Sequence, residues 1–165
     1  MLRKFFVIGA LGLFLLPAAA KAQFDEADWE MTLTGSGISD DSFDTTSLSV
    51  NVGLGYFFTD ALEAGIRQSL AVSDSDFGSS WAGTTTLFGD YHFDLDRWQP
   101  FVGAFIGYSY GDDVDESWVG GPEGGVKYFV NSTTFIFGQI QYAIQLDDSD
   151  ADDAFIYALG IGFKW

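Results

Sequence analysis

The chain has 165 residues, with 24 acidic against 7 basic ones, a formal net charge of −17, 47% apolar and 18% aromatic content and no cysteine. So apolar and aromatic a chain is not intrinsically disordered, and so acidic a chain does not suit nucleic acid. The missing cysteines exclude a disulfide scaffold and a thiolate metal site, and the length suits one domain.

The first predicted element is a signal peptide over residues 1–22. Arg3 and Lys4 precede an apolar run from Phe5 to Leu16, Pro17 ends it, and Ala20-Lys21-Ala22 fits a small-x-small cleavage site. The run is short for a spanning helix, which needs about 20 residues. Cleavage is expected before Gln23, and no cysteine follows to carry a lipid anchor. The remaining domain, 23–165, keeps all 24 acids and, as bases, Arg67, Arg97, Lys127 and Lys164, a net charge of −20.

From there the pattern has period two, the strand signature. Trp29, Met31 and Leu33 alternate with Glu30, Thr32 and Thr34. Leu48, Val50, Val52, Leu54 and Tyr56 alternate with Ser49, Asn51, Gly53 and Gly55. Leu62, Ala64, Ile66, Leu70 and Val72 oppose Glu63, Gly65, Arg67 and Ser69. Trp81, Leu87, Tyr91 and Phe93 oppose Thr84, Thr86, Asp90 and His92. Val102, Ala104, Ile106, Tyr108 and Tyr110 oppose Gly103, Gly107 and Ser109. Val126, Tyr128 and Val130 oppose Glu123, Gly125 and Lys127. Ile136, Ile140, Tyr142 and Ile144 oppose Gln139, Gln141 and Gln145. The last run sets Phe155, Tyr157, Leu159, Ile161, Phe163 and Trp165 against Ala158, Gly160, Gly162 and Lys164.

These runs predict an all-β domain: an eight-stranded antiparallel up-and-down transmembrane β-barrel. Its connections alternate between long acidic loops (35–46, 73–80, 111–121, 147–153) and short turns (57–61, 94–98, 131–133), the pattern of an outer-membrane barrel. An even strand count puts both termini at the short-turn, periplasmic end. A barrel of eight has an interior just wide enough for side chains. The small and polar face therefore turns inward, and the bulky apolar face meets lipid. Aromatic girdles agree: Tyr56, Tyr91, Phe93, Trp98, Tyr128 and Trp165 lie near the turns, and Trp81, Tyr108, Tyr110, Trp118, Tyr142, Phe155 and Tyr157 near the loops.

Three stretches carry a resemblance. Pro100-Phe-Val-Gly-Ala-Phe-Ile-Gly-Tyr108, Glu123-Gly-Gly-Val-Lys-Tyr-Phe129 and Tyr157-Ala-Leu-Gly-Ile-Gly-Phe-Lys-Trp165 resemble strands of the small bacterial outer-membrane β-barrel proteins of OmpA, OmpX and opacity type. The resemblance implies an integral outer-membrane protein of a Gram-negative bacterium, in contact with lipid and lipopolysaccharide. It also implies a terminal assembly signal at Tyr157, Phe163 and Trp165, read by the barrel-assembly machinery, with Trp165 standing where Phe is usual. A monomer is expected.

The function predicted is structural, in envelope integrity, or surface-directed through the loops. The alternative is a narrow passive channel for small or apolar solutes. The inward charges Glu63, Arg67, Asp90, His92, Glu123, Lys127 and Lys164 are expected to form an ionic network that fills the lumen, since a charge there must be paired or hydrated. Counted along the strands, Arg67 and Glu123 fall mid-barrel, and His92 and Lys164 near the rim. Some related barrels modify lipid A, but His92 points inward without a neighbouring nucleophile, so no catalytic residue and no cofactor is assigned. Asp148, Asp150 and Asp152 are weak candidates for divalent cations, because Asp147–Asp153 fails the EF-hand spacing. Asn131-Ser-Thr133 is read as turn chemistry.

Overall fold

The computed structural model describes residues 23–39, 45–75, 78–112, 116–147 and 153–165. The signal peptide and the candidates Asp148, Asp150 and Asp152 lie outside them. Eight strands form: β1 (Trp29–Ser39), β2 (Thr45–Phe57), β3 (Leu62–Ser75), β4 (Gly78–His92), β5 (Trp98–Gly111), β6 (Ser117–Phe129), β7 (Thr134–Gln145) and β8 (Ala154–Lys164). Each pairs antiparallel with its chain neighbour, and β8 returns to β1 to close the barrel. Closure runs from Glu30 opposite Lys164 to Thr34 opposite Gly160. Below that seam Trp29 and Trp165 exchange backbone hydrogen bonds of 2.9 and 3.0 Å.

The alternation is read correctly, but the strands outrun it. β3 and β4 stay paired through Ser73 opposite Ser80 to Ser75 opposite Gly78, where a loop over 73–80 is predicted. The first three loop-end connections shrink to 40–44, 76–77 and 112–116, while the fourth, 146–153, keeps the predicted length to within one residue. The reason is physical. A tilted strand crosses the hydrocarbon in about 9–11 residues, and apolar alternation lasts only that long. The hydrogen-bond ladder needs no apolar side chains and continues into polar sequence beyond.

The outer wall is apolar. Leu159 is 79% exposed and Leu48 58%, with Ile, Val and Leu filling the belt between. Rings touch within two girdles. Trp29–Tyr56, Tyr56–Phe58, Tyr91–Phe93 and Trp98–Tyr128 pack at the turn end. Trp81–Tyr110, Tyr108–Trp118 and Tyr142–Phe155 pack at the loop end. Exposed carboxylates anchor the upper girdle: the Tyr108 hydroxyl donates to Glu116 at 2.9 Å, the Tyr142 hydroxyl to Asp153, and the backbone N–H of Trp118 to Asp147 at 2.6 Å.

One polar group interrupts the outer wall. Gln68, Thr85 and Tyr110 stand on its alternation and satisfy one another. Thr85 donates to Gln68 Oε1 at 2.7 Å, and Gln68 Nε2 donates to the Tyr110 hydroxyl at 3.0 Å. The ring of Tyr110 lies over Gly83, 2.6 Å from where a Cβ would stand.

At the opposite end Asn131 Oδ1 accepts from the backbone N–H of Thr133 and Thr134, each at 2.9 Å. This is an Asx turn, as read from the sequence.

Candidate functional site: the turn-end half of the lumen

The inward face is not only small and polar. Among the described residues every buried apolar side chain is phenylalanine: Phe24, Phe57, Phe88, Phe101, Phe105, Phe129, Phe135 and Phe137. All but Phe24 stand on inward strand positions. Phe105 lies opposite Gly121, and four others lie opposite a glycine whose side-chain space they fill. Phe88 faces Gly65, Phe101 faces Gly125, and Phe135 and Phe137 face Gly162 and Gly160. Each ring fills the space where its partner's Cβ would stand. Glycine therefore relieves crowding in the lumen, and it does so for aromatic rings.

Phe24 comes from outside the strands. Residues 23–28 fold back under the barrel. Ala27, at φ 74°, donates its N–H to the Phe57 carbonyl at 2.9 Å, and Phe57 donates to the Asp28 carbonyl at 2.9 Å. The turn delivers Phe24, fully buried, onto the ring of Phe57, with centroids 3.9 Å apart and planes 11° from parallel. Phe129 and Phe135 meet it edge-on. Together these rings plug the turn-end mouth.

Above the plug lie the charges, in two linked groups. Arg67 stacks on Phe88 at 3.7 Å. It grips Glu123 with two hydrogen bonds, at 3.0 and 2.7 Å, and reaches Asp90 at 3.3 Å. Glu123 also accepts from Gln139 at 2.6 Å and Gln141 at 2.7 Å. Lys127 donates to Glu30 at 2.5 Å and to Glu63 at 3.1 Å. It stands amid the rings of Phe24, Phe57, Phe101 and Phe135, all within 5.6 Å. Between buried groups such pairing offsets a desolvation cost of several kcal/mol per ion.

Of the residues singled out from sequence, Glu63, Arg67, Asp90, His92, Glu123 and Lys127 converge here, while Lys164 stands apart and donates to Asp28 at 2.7 Å. Glu30, on the inward alternation of β1, is buried on Lys127, and Asp28 turns in to meet Lys164. These two acids add to the inward charges expected from sequence, where three acids stand against three bases with His92 counted neutral. Asp28, Glu30, Glu63, Asp90 and Glu123 face Arg67, Lys127 and Lys164, an excess of two negative charges with His92 counted neutral.

His92 is also deeper than its strand position suggests. It is 3% exposed, because Phe24 and its turn cover the mouth. Its ring stacks on Phe101 at 5.4 Å, and its Nε2 lies 2.9 Å from Glu63 Oε2. Within this half an enclosed cavity of about 10 Å³ lies among Glu30, Glu63, Arg67, Asp90 and Lys127. It is close to the smallest space a water can occupy.

The loop-end half differs. Asn51, Ser69, Ala71, Ala82, Thr84, Ser109, Gln141, Ala143 and Gln145 line it, and all are half-buried.

Solved structures share the architecture. The chain is similar to outer membrane protein OprG from Pseudomonas aeruginosa at 13% identity, covering 88% of this chain and 99% of that one with a TM-score of 0.62. It is similar to the N-terminal β-barrel domain of P. aeruginosa OprF at 16% identity, with 86% and 98% covered and a TM-score of 0.59. For Neisserial surface protein A the values are 14%, 83%, 94% and 0.56. The fold is that of the small outer-membrane β-barrels. No family model matches the chain, and no curated protein matches it.

Proposed function

We propose that this chain is an integral outer-membrane protein with a structural, envelope-integrity role, and that its barrel does not conduct. The loop end faces outward and both termini face the periplasm. The observation carrying this reading is the turn-end half of the lumen, stopped by the Phe24–Phe57 stack and cross-linked by Arg67 and Lys127. The fold likeness to outer-membrane barrels and the apolar outer belt support the location. Tyr157, Phe163 and Trp165, all on the outer wall, serve as the assembly signal. His92 faces the lumen rather than lipid, so nothing favours a lipid-modifying activity.

Deletion and complementation test the role. The protein should fractionate with the outer membrane and shift on gels between unheated and heated samples. Cells lacking it should admit an apolar dye faster, and the intact chain should restore the barrier. A barrier unchanged by deletion would overturn the structural role.

A further inference from the structure

We propose that the closed half of the lumen is a binding site for one divalent transition-metal ion, held by Glu63, Asp90 and His92. Their placement comes from the sheet. Glu63 on β3 lies directly opposite Asp90 on β4, and His92 follows Asp90 by two residues, on the same inward face. Each offers one ligand atom, and these atoms all lie within 4.8 Å of one another. Metal–ligand distances near 2.0–2.2 Å bring such a set onto one ion with small side-chain rotations.

Three further observations point to an ion. Glu63 Oε1, Asp90 Oδ1 and His92 Nδ1 have no hydrogen-bond partner, although the residues are 1%, 2% and 3% exposed. A buried polar atom left without a partner is costly, and more so when charged. The charge balance agrees, since this half carries two negative charges beyond its cations, the charge one dication neutralises. Beside the three residues the 10 Å³ cavity, lined by Glu63 and Asp90 together with Arg67 and Lys127 but not by His92, admits a single small species. Lys127 engages Glu63 through Oε2, which leaves Oε1 for the metal.

The donor set selects the class of ion. One imidazole and two carboxylates suit zinc, manganese or ferrous iron. Calcium and magnesium prefer all-oxygen shells, and cuprous ions prefer sulfur. The ion acts as a cross-link between β3 and β4 inside the plug. This inference is independent of the membrane role, since it rests only on the lumen.

The test uses the full barrel, refolded in detergent after chelation and then exposed to zinc chloride. Elemental analysis after gel filtration should find one zinc per barrel, with a raised melting midpoint. Asp90→Asn and His92→Gln should each weaken binding at least tenfold. Asp112→Asn and Asp153→Asn, on the acidic loop end, should leave it unchanged. Cobalt substitution gives a second readout that needs no variant: intense visible bands of low-coordinate nitrogen–oxygen ligation are expected. No retained zinc would overturn the proposal. So would zinc held equally by lumen variants that still shift on heating, or a cobalt spectrum like that of the hydrated ion.

Discussion

The lumen is built from two kinds of lining, and they meet near mid-barrel. Toward the turns it is phenylalanine and paired charge, with Phe57, Glu63, Asp90, Lys127 and Phe135 all buried. Toward the loops, among the described residues, it is serine, threonine, alanine and glutamine, half-buried. Thr84 and Ser109 pair there through their hydroxyls, 3.1 Å apart. The same closed sheet carries both, so strand pairing does not decide whether a barrel is stopped. What decides is whether inward positions hold side chains large enough to reach across the axis. At the turn end the rings do reach, because glycines opposite Phe88, Phe101, Phe135 and Phe137 let them lie flat against the wall. At the loop end the described inward positions hold nothing longer than glutamine.

Substitutions should therefore act very unequally in the two halves. Removing Arg67 as Arg67→Ala leaves Glu123 and Asp90 buried without their cation. A loss of about 3–5 kcal/mol is expected in urea unfolding followed by tryptophan fluorescence. Phe57→Ala should cost about 3–5 kcal/mol through the cavity it leaves, read the same way and accompanied by a lower heat-shift temperature on gels. Gly125→Ala drives a Cβ against the Gly138 carbonyl oxygen and to 2.7 Å from the Phe101 ring, and overpacking of about 3 kcal/mol, the upper end of the usual range, is expected. On the outer wall Gln68→Leu should change stability by under about 1 kcal/mol, the scale measured for hydrogen bonds facing lipid, since Thr85 and Tyr110 keep their 3.2 Å contact. Ser109→Ala in the open half should fall within about 0.5 kcal/mol. If Ser109→Ala and Phe57→Ala cost the same, the contrast between the halves is wrong.

The fold was largely legible in the sequence. Alternation identified eight strands and the lipid-facing side, because lipid imposes a period-two constraint on every residue that meets it. The strand ends were not legible, since beyond the hydrocarbon polar residues pair as readily as they loop. The composition of the plug was hidden for another reason. In Pro100-Phe-Val-Gly-Ala-Phe-Ile106 both faces are apolar, so Phe101 and Phe105 cancel the alternation rather than display it. Only the register shows that Phe101 lies opposite a glycine. The alternation of β1 turns Glu30 inward, but Asp28 was visible only as a charge, and its inward placement depends on the fold-back of residues 23–28. No periodic signal announces that turn.

The central claim is that the turn-end half closes the barrel. Single-channel recording of the pure protein in planar bilayers tests it most directly. The account predicts a silent membrane with the intact chain. Steady conductance steps, reproducible with voltage and scaling with salt, would contradict it.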